Sequence, residues 1–122
     1  AMKEGFRTPL FMAAQKGHNA CVTLLLDRGA SVDASQNDGA TPLFMAAQRG
    51  HNAMATLLLD RGASVDATRN DGVTPLFIAV QQGDNAMAAL LLAHGASMDV
   101  ASNTGATPLL VAAEQGHNAC VT

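Results

Sequence analysis

Tryptophan and tyrosine are absent from the 122 residues, and four phenylalanines are the only aromatics. A core without large rings has to be tiled from small and medium side chains, and the 24 alanines supply much of it. Charge is scarce as well: Asp, Glu, Lys and Arg together make up 14% of the chain, against about a quarter in an ordinary domain. With seven Lys+Arg and a formal net charge of −3, the chain lacks the basic excess that nucleic-acid and anionic-membrane binders carry. Neither partner is therefore expected. No apolar stretch approaches the ~20 residues of a membrane span. No charged-then-apolar leader opens the chain, and Ala1-Met2 reads as an expression remnant rather than a natural start. What remains is 48% apolar content, ample for a buried core.

That content is periodic. Thr-Pro-Leu begins at Thr8, Thr41, Thr74 and Thr107, a step of 33 residues each time. Gly17, Gly50, Gly83 and Gly116 keep the same step, as do Gly29, Gly62 and Gly95, and Gly39, Gly72 and Gly105. Residues 8–34 and 41–67 agree at 24 of 27 positions, and residues 41–67 and 74–100 at 18. One such tripeptide means little; four in register with three glycine ladders define a repeat protein.

The chemistry of one unit predicts its conformation. The hydroxyl of Thr41 can accept from a free backbone N–H, and Pro42 suits a first-turn position whose N–H is orphaned anyway. A helix should run through Leu43 to Ala47 and end at Gly50, which tolerates the left-handed cap conformation. Asn52 is the expected cap of a second helix through Leu57-Leu58-Leu59 to Arg61, ended by Gly62. Each helix is two or three turns, too short to stand alone in water. Ser64-Val65-Asp66-Ala67 reads as a short extended piece and Asn70-Asp71-Gly72 as a tight turn.

A 33-residue step carrying Thr-Pro-Leu-x-x-Ala, Gly-His and Leu-Leu-Leu-x-x-Gly-Ala resembles the ankyrin repeat. The resemblance implies an all-α solenoid, helix-turn-helix units stacked in a curved row with hairpin-like loops projecting from them. It divides the chain, as a single repeat domain over 1–122, into units at about 4–36, 37–69 and 70–102 and a partial one at 103–122. Family members mostly bind proteins on the concave face made by loop tips and first helices. Mapped here, that face carries Gln15-Lys16, Gln48-Arg49, Gln81-Gln82 and Glu114-Gln115 at the helix ends. The tips add Asn37, Asp38 and Ala40; Asn70, Asp71 and Val73; and Asn103, Thr104 and Ala106. These positions nearly repeat from unit to unit, which keeps a passive spacer array as the alternative to a partner-binding scaffold.

Departures from the family pattern carry expectations too. Its histidine after Thr-Pro-Leu, which ties loops by polar contacts, is Phe11, Phe44, Phe77 and Leu110 here, so apolar packing should hold the loops instead. The aspartate that usually begins the loop is Gln36, Arg69 and Ser102, and Phe6 stands where the first turn glycine belongs. The chain stops inside the last second helix, so a frayed end, or head-to-tail self-association through an uncapped C-terminal end, is expected.

Core, thiols and chemistry follow from the repeat. Cys21-Val22, Met54-Ala55, Met87-Ala88 and Cys120-Val121 hold total side-chain size constant across neighbouring sites, as a close-packed interior favours. Cys21 and Cys120 are equivalent sites three steps apart, roughly 25–30 Å at 8–10 Å per packed helix, beyond the ~7 Å reach of a disulfide. Buried free thiols fit a reducing compartment and an intracellular location. His18, His51 and His117 recur at one turn and cannot converge on a metal; a turn-stabilising role is expected. Asp33, Asp66 and Asp99 form another dispersed ladder. No convergent acid-base pair, nucleophile or phosphate loop appears, so neither enzyme activity nor a cofactor is expected. In the third unit Ala89, Ala93 and His94 replace Thr56, Asp60 and Arg61, stripping polarity from the outer face and suggesting a contact patch there.

Overall fold

The computed structural model describes residues 8–115, which form seven helices: α1 (Pro9–Lys16), α2 (Asn19–Asp27), α3 (Pro42–Arg49), α4 (Asn52–Asp60), α5 (Pro75–Gln81), α6 (Asn85–Ala93) and α7 (Pro108–Gln115). No strand occurs among the described residues. Each first helix starts as its chemistry requires. Thr8, Thr41 and Thr74 are extended N-caps whose hydroxyls accept from the N–H of Phe11, Phe44 and Phe77 at 3.0, 3.2 and 3.0 Å. The end of α1 is equally local: Gly17 turns left-handed at φ 74°, and the N–H of His18 donates back to Ala13 at 3.0 Å.

Two starts and turns differ from expectation. His51, not Asn52, occupies the N-cap of α4, and Asn52 is the first helical residue; the imidazole makes no capping bond, as the His18 imidazole makes none at α2. Asp84 in the same position of α6 does cap, its carboxylate accepting from the Met87 N–H at 3.1 Å. Ser64 to Ala67 is a turn rather than an extended piece, centred on Val65 and Asp66. The Asn70-Asp71-Gly72 turn forms, closed by Gly72 N–H donating to Arg69 O at 2.8 Å.

The helices assemble in two layers. α1, α3, α5 and α7 pack side by side, α2, α4 and α6 form a second row, and each first helix also packs on the second helix of its own unit. The first-helix row packs more closely than the second, which bends the stack toward it. The core is continuous from Leu10 to Ala112, with alanines Ala14, Ala46, Ala47 and Ala79 fully buried where neighbouring helices approach.

Burial depends on which neighbour a residue faces. Val22, Met54, Ala55, Met87, Ala88, Leu58 and Leu91 are at most 1% exposed. Cys21, by contrast, is exposed. The expectation of a buried thiol fails there because this site faces the preceding unit: at Met54 and Met87 a unit covers it, at Cys21 none of the described residues does. Leu25 is likewise only half-buried where its counterparts Leu58 and Leu91 are sealed. Phe6, His117, Cys120, Val121 and the expected second helix of the last unit lie outside the described residues.

Candidate functional site

The loop tips are built residue by residue into a ladder. Each is closed by a backbone bond: Gln36 N–H to Ala40 O at 3.1 Å, Arg69 N–H to Val73 O at 2.9 Å and Ser102 N–H to Ala106 O at 2.7 Å. Each also carries a different side-chain clamp between the same two positions. Gln36 donates to Asp38 at 3.1 Å, Arg69 grips Asp71 at 3.1 and 2.7 Å, and the Ser102 and Thr104 hydroxyls meet at 2.9 Å. The Arg69 guanidinium holds the Asp71 carboxyl below its ordinary pKa, helped by the Val73 N–H; in return the Asp71 hydrogen bond raises Arg69.

Successive tips are then hydrogen-bonded together. The Asn70 N–H donates to Asp38 O at 2.7 Å and its amide to Asn37 O at 3.0 Å. Asn103 repeats both bonds on Asp71 O at 2.8 Å and Asn70 O at 3.2 Å. The expectation that apolar packing replaces polar ties between loops is therefore corrected: asparagine supplies the ties. Gly39 is required by this closeness. Its φ is +87°, and a Cβ there would stand 2.9 Å from the Asn70 backbone nitrogen.

Below the tips, other contacts cross between units. His51 Nε2 donates to Gln15 O at 3.0 Å, satisfying a last-turn carbonyl that α1 leaves open. This is a structural bond, between units rather than within the turn. Ser64 and Ser97 N–H groups donate to the carboxylates of Asp33 and Asp66 at 3.2 and 3.1 Å. Arg61 pairs with Asp27 at 2.9 Å. In all of these contacts the donor belongs to the later unit and the acceptor to the earlier one.

Against this framework the expected surface separates into three parts. Ala40 and Val73 are 1% and 7% exposed; packed beneath the tips, they offer a partner no side-chain surface, which corrects their place in the set. Ala106 is half-buried. Asn37, Asp38, Asn70, Asn103 and Thr104 are exposed and Asp71 half-exposed, but each carries a bond that builds the ladder. The helix-end residues are different. Lys16, Arg49, Gln81, Gln82 and Glu114 are exposed and Gln15 and Gln48 half-buried. Among the described residues, Lys16, Arg49 and Gln82 enter no side-chain hydrogen bond or ion pair. The Gln115 side chain lies outside the described residues.

Sequence reasoning missed the clamp positions. Gln36, Arg69 and Ser102 look like departures from a pattern until each is paired with the residue two places on. It also missed that the Phe44 ring receives the Arg69 guanidinium, 4.9 Å from its centroid. On the outer face, Ala89, Ala93 and His94 are exposed; the threonine at the Ala89 position in the other units bonds only its own helix, Thr23 to Asn19 O and Thr56 to Asn52 O. Among the described residues no three His, Cys, Asp or Glu are grouped to hold a metal, and no helix is long and apolar enough to cross a membrane.

Comparison with known families agrees with this architecture. The sequence model described as "Ankyrin repeats (3 copies)" matches residues 2–69 and again 62–122. No curated protein matches the chain.

Proposed function

The chain belongs to the ankyrin-repeat family, and on that premise we propose that it is a non-catalytic scaffold binding a protein partner along its concave, first-helix side. Ankyrin repeats are generally protein-protein interaction modules and generally non-catalytic. The observation that carries the reading is the uncommitted row Lys16, Arg49 and Gln82, one residue per unit, exposed and without side-chain partners among the described residues. Polar side chains left solvated on a rigid frame lose little on being handed to a partner, because no internal bond has to break first. The tip residues, occupied by the ladder, would contribute shape rather than free hydrogen-bonding groups. The spacer reading rests on the near-repetition of these same positions, and an intracellular setting on the thiol content alone.

A photo-crosslinking residue placed at Arg49 and, as control, at Ala86 on the opposite row separates the two readings. Binding gives a discrete crosslinked protein from position 49 and none from 86, and Lys16→Glu, Arg49→Glu and Gln82→Ala together abolish it. A spacer gives no product from either position.

A further inference from the structure

Positive charge is unevenly spent in this molecule. The described Lys and Arg residues are Lys16, Arg28, Arg49, Arg61 and Arg69. Arg61 is paired with Asp27 and Arg69 with Asp71. Arg28 is the counterpart of Arg61, whose partner comes from the unit before. Lys16 and Arg49 are left over, both exposed, at the same register position one unit apart. Their freedom is not an effect of the array's ends, because Arg49 has a described unit on either side and is exposed all the same. Gln82 extends the column into the next unit, polar but uncharged.

No acid on the same helices answers the two charges: α1, α3 and α5 carry neither Asp nor Glu. Met45 and Ile78, one turn before Arg49 and Gln82 on the same face, are 7% and 6% exposed, so the floor beside the column is apolar. The tip acids Asp38 and Asp71 precede the first helices that Lys16 and Arg49 end. The length of such a helix, about 12 Å at 1.5 Å per residue, exceeds the ~8 Å screening length at physiological salt. Asp84 lies beside Gly50, its Oδ2 3.5 Å from where a Cβ would stand, but it accepts from the Met87 N–H and makes no ion pair with Arg49.

Spacing selects the shape of the ligand. Packed helices lie about 8–10 Å apart, and the first-helix row is the more closely packed of the two. A polyproline-II chain rises about 3.1 Å per residue with three residues per turn, so every third side chain points the same way at about 9.3 Å. A β-strand repeats its face at about 6.6–6.8 Å, and an α-helix at about 10.5 Å over seven residues. We infer that the partner of the concave face presents an acidic polyproline-II segment, its carboxylates three residues apart and paired with Lys16 and Arg49. A carbonyl or polar side chain three residues further on meets Gln82. The inference rests on the concave-face reading and names the chemistry that this face selects.

Titration of the isotope-labelled full chain with synthetic peptides at low ionic strength, followed by NMR amide shifts, tests this. The probe is end-blocked Pro-Pro-Glu-Pro-Pro-Glu-Pro-Pro. The comparison peptides have Glu two residues apart, Lys in place of Glu, or Glu seven apart on an alanine-rich helix. The probe is expected to bind in the millimolar range, several-fold tighter than the others, to shift the amides of Lys16, Gly17, Arg49 and Gly50, and to weaken as salt rises. Lys16→Gln and Arg49→Gln are each expected to weaken it about two- to fivefold, as exposed ion pairs do. Lys16→Glu with Arg49→Glu is expected to abolish it and to admit the Lys peptide instead, a rescue that an unfolded variant cannot give. No binding of the probe overturns the inference, as do equal binding of all the Glu peptides, tighter binding of the helical one, or shifts confined to α2, α4 and α6. The crosslink from position 49 remains the separate test of the face: a product there without binding of the probe keeps the face and discards the acidic segment.

Discussion

The guanidinium of Arg69 lies 4.9 Å from the centroid of the Phe44 ring while gripping Asp71 through two nitrogens. One side chain thus closes its own loop tip and rests on α3, the first helix of the 37–69 unit. The ring stands where the family carries a polar histidine, and a cation over its aromatic face adds to the asparagine ties, worth about 0.5–1 kcal/mol at a partly exposed site. Removing it with Arg69→Ala is expected to cost about 1 kcal/mol in urea unfolding at neutral pH. Arg69→Lys should recover only part of this, since an ammonium cannot reproduce the two-pronged grip.

The Arg69–Asp71 clamp also sets a pH dependence. Asp71 titrates below its ordinary 3.8 because Arg69 hydrogen-bonds its charged form, so its stabilisation is fully present above that value and is lost as pH falls through the lowered one. Arg69 is shifted upward, and its share persists at every pH at which the protein is handled. The stability difference between wild type and Asp71→Asn is therefore expected to be constant from pH 8 to about 5 and to shrink in acid. Half of the Asp71 side chain is solvated, so the difference stays under about 1 kcal/mol.

Glycines at two loops separate strain from crowding. Gly39 and Gly62 both have positive φ, +87° and +92°, but a Cβ meets the Asn70 backbone at Gly39 and nothing within 4 Å at Gly62. Gly62→Ala should cost about 1–2 kcal/mol for the left-handed backbone alone. Gly39→Ala should cost clearly more, and should speed amide exchange at Asn70, whose N–H bond to Asp38 is 2.7 Å.

Equivalent sites in different units should respond differently. Met54 is 0% exposed, and Met54→Ala is expected to cost about 2–5 kcal/mol by opening a cavity. Cys21 occupies the same position in its unit and is exposed; Cys21→Ala should stay within about 0.5 kcal/mol. Thermal unfolding of the two variants at dilute concentration measures the contrast.

Most local structure was legible because it is locally caused. Thr-Pro starts each first helix through a bond that spans three residues, and the positive-φ glycines end helices or turns irrespective of what packs outside. The misreadings share one origin. Asn52 loses the cap to His51, and Ser64 to Ala67 form a turn whose first N–H is bound by Asp33 of the previous unit. Both geometries recur in the first unit, at the His18 N-cap and the Ser31-to-Ala34 turn, without those bonds, so each is a local conformation that the residue types alone did not announce. Among the candidate binding residues, Ala40 and Val73 lie in the loop-tip stretch but are sealed beneath the tips.

Sequence alone settled the period, the pairing of short helices and the family, because a 33-residue register imposes the same local bonds in each unit. The tertiary structure decided which copies of a repeated residue are buried, which polar groups remain unspent, and that contacts between units run from a later donor to an earlier acceptor. Those properties belong to junctions rather than to residues: identical side chains take different environments according to whether a neighbour lies before or behind them.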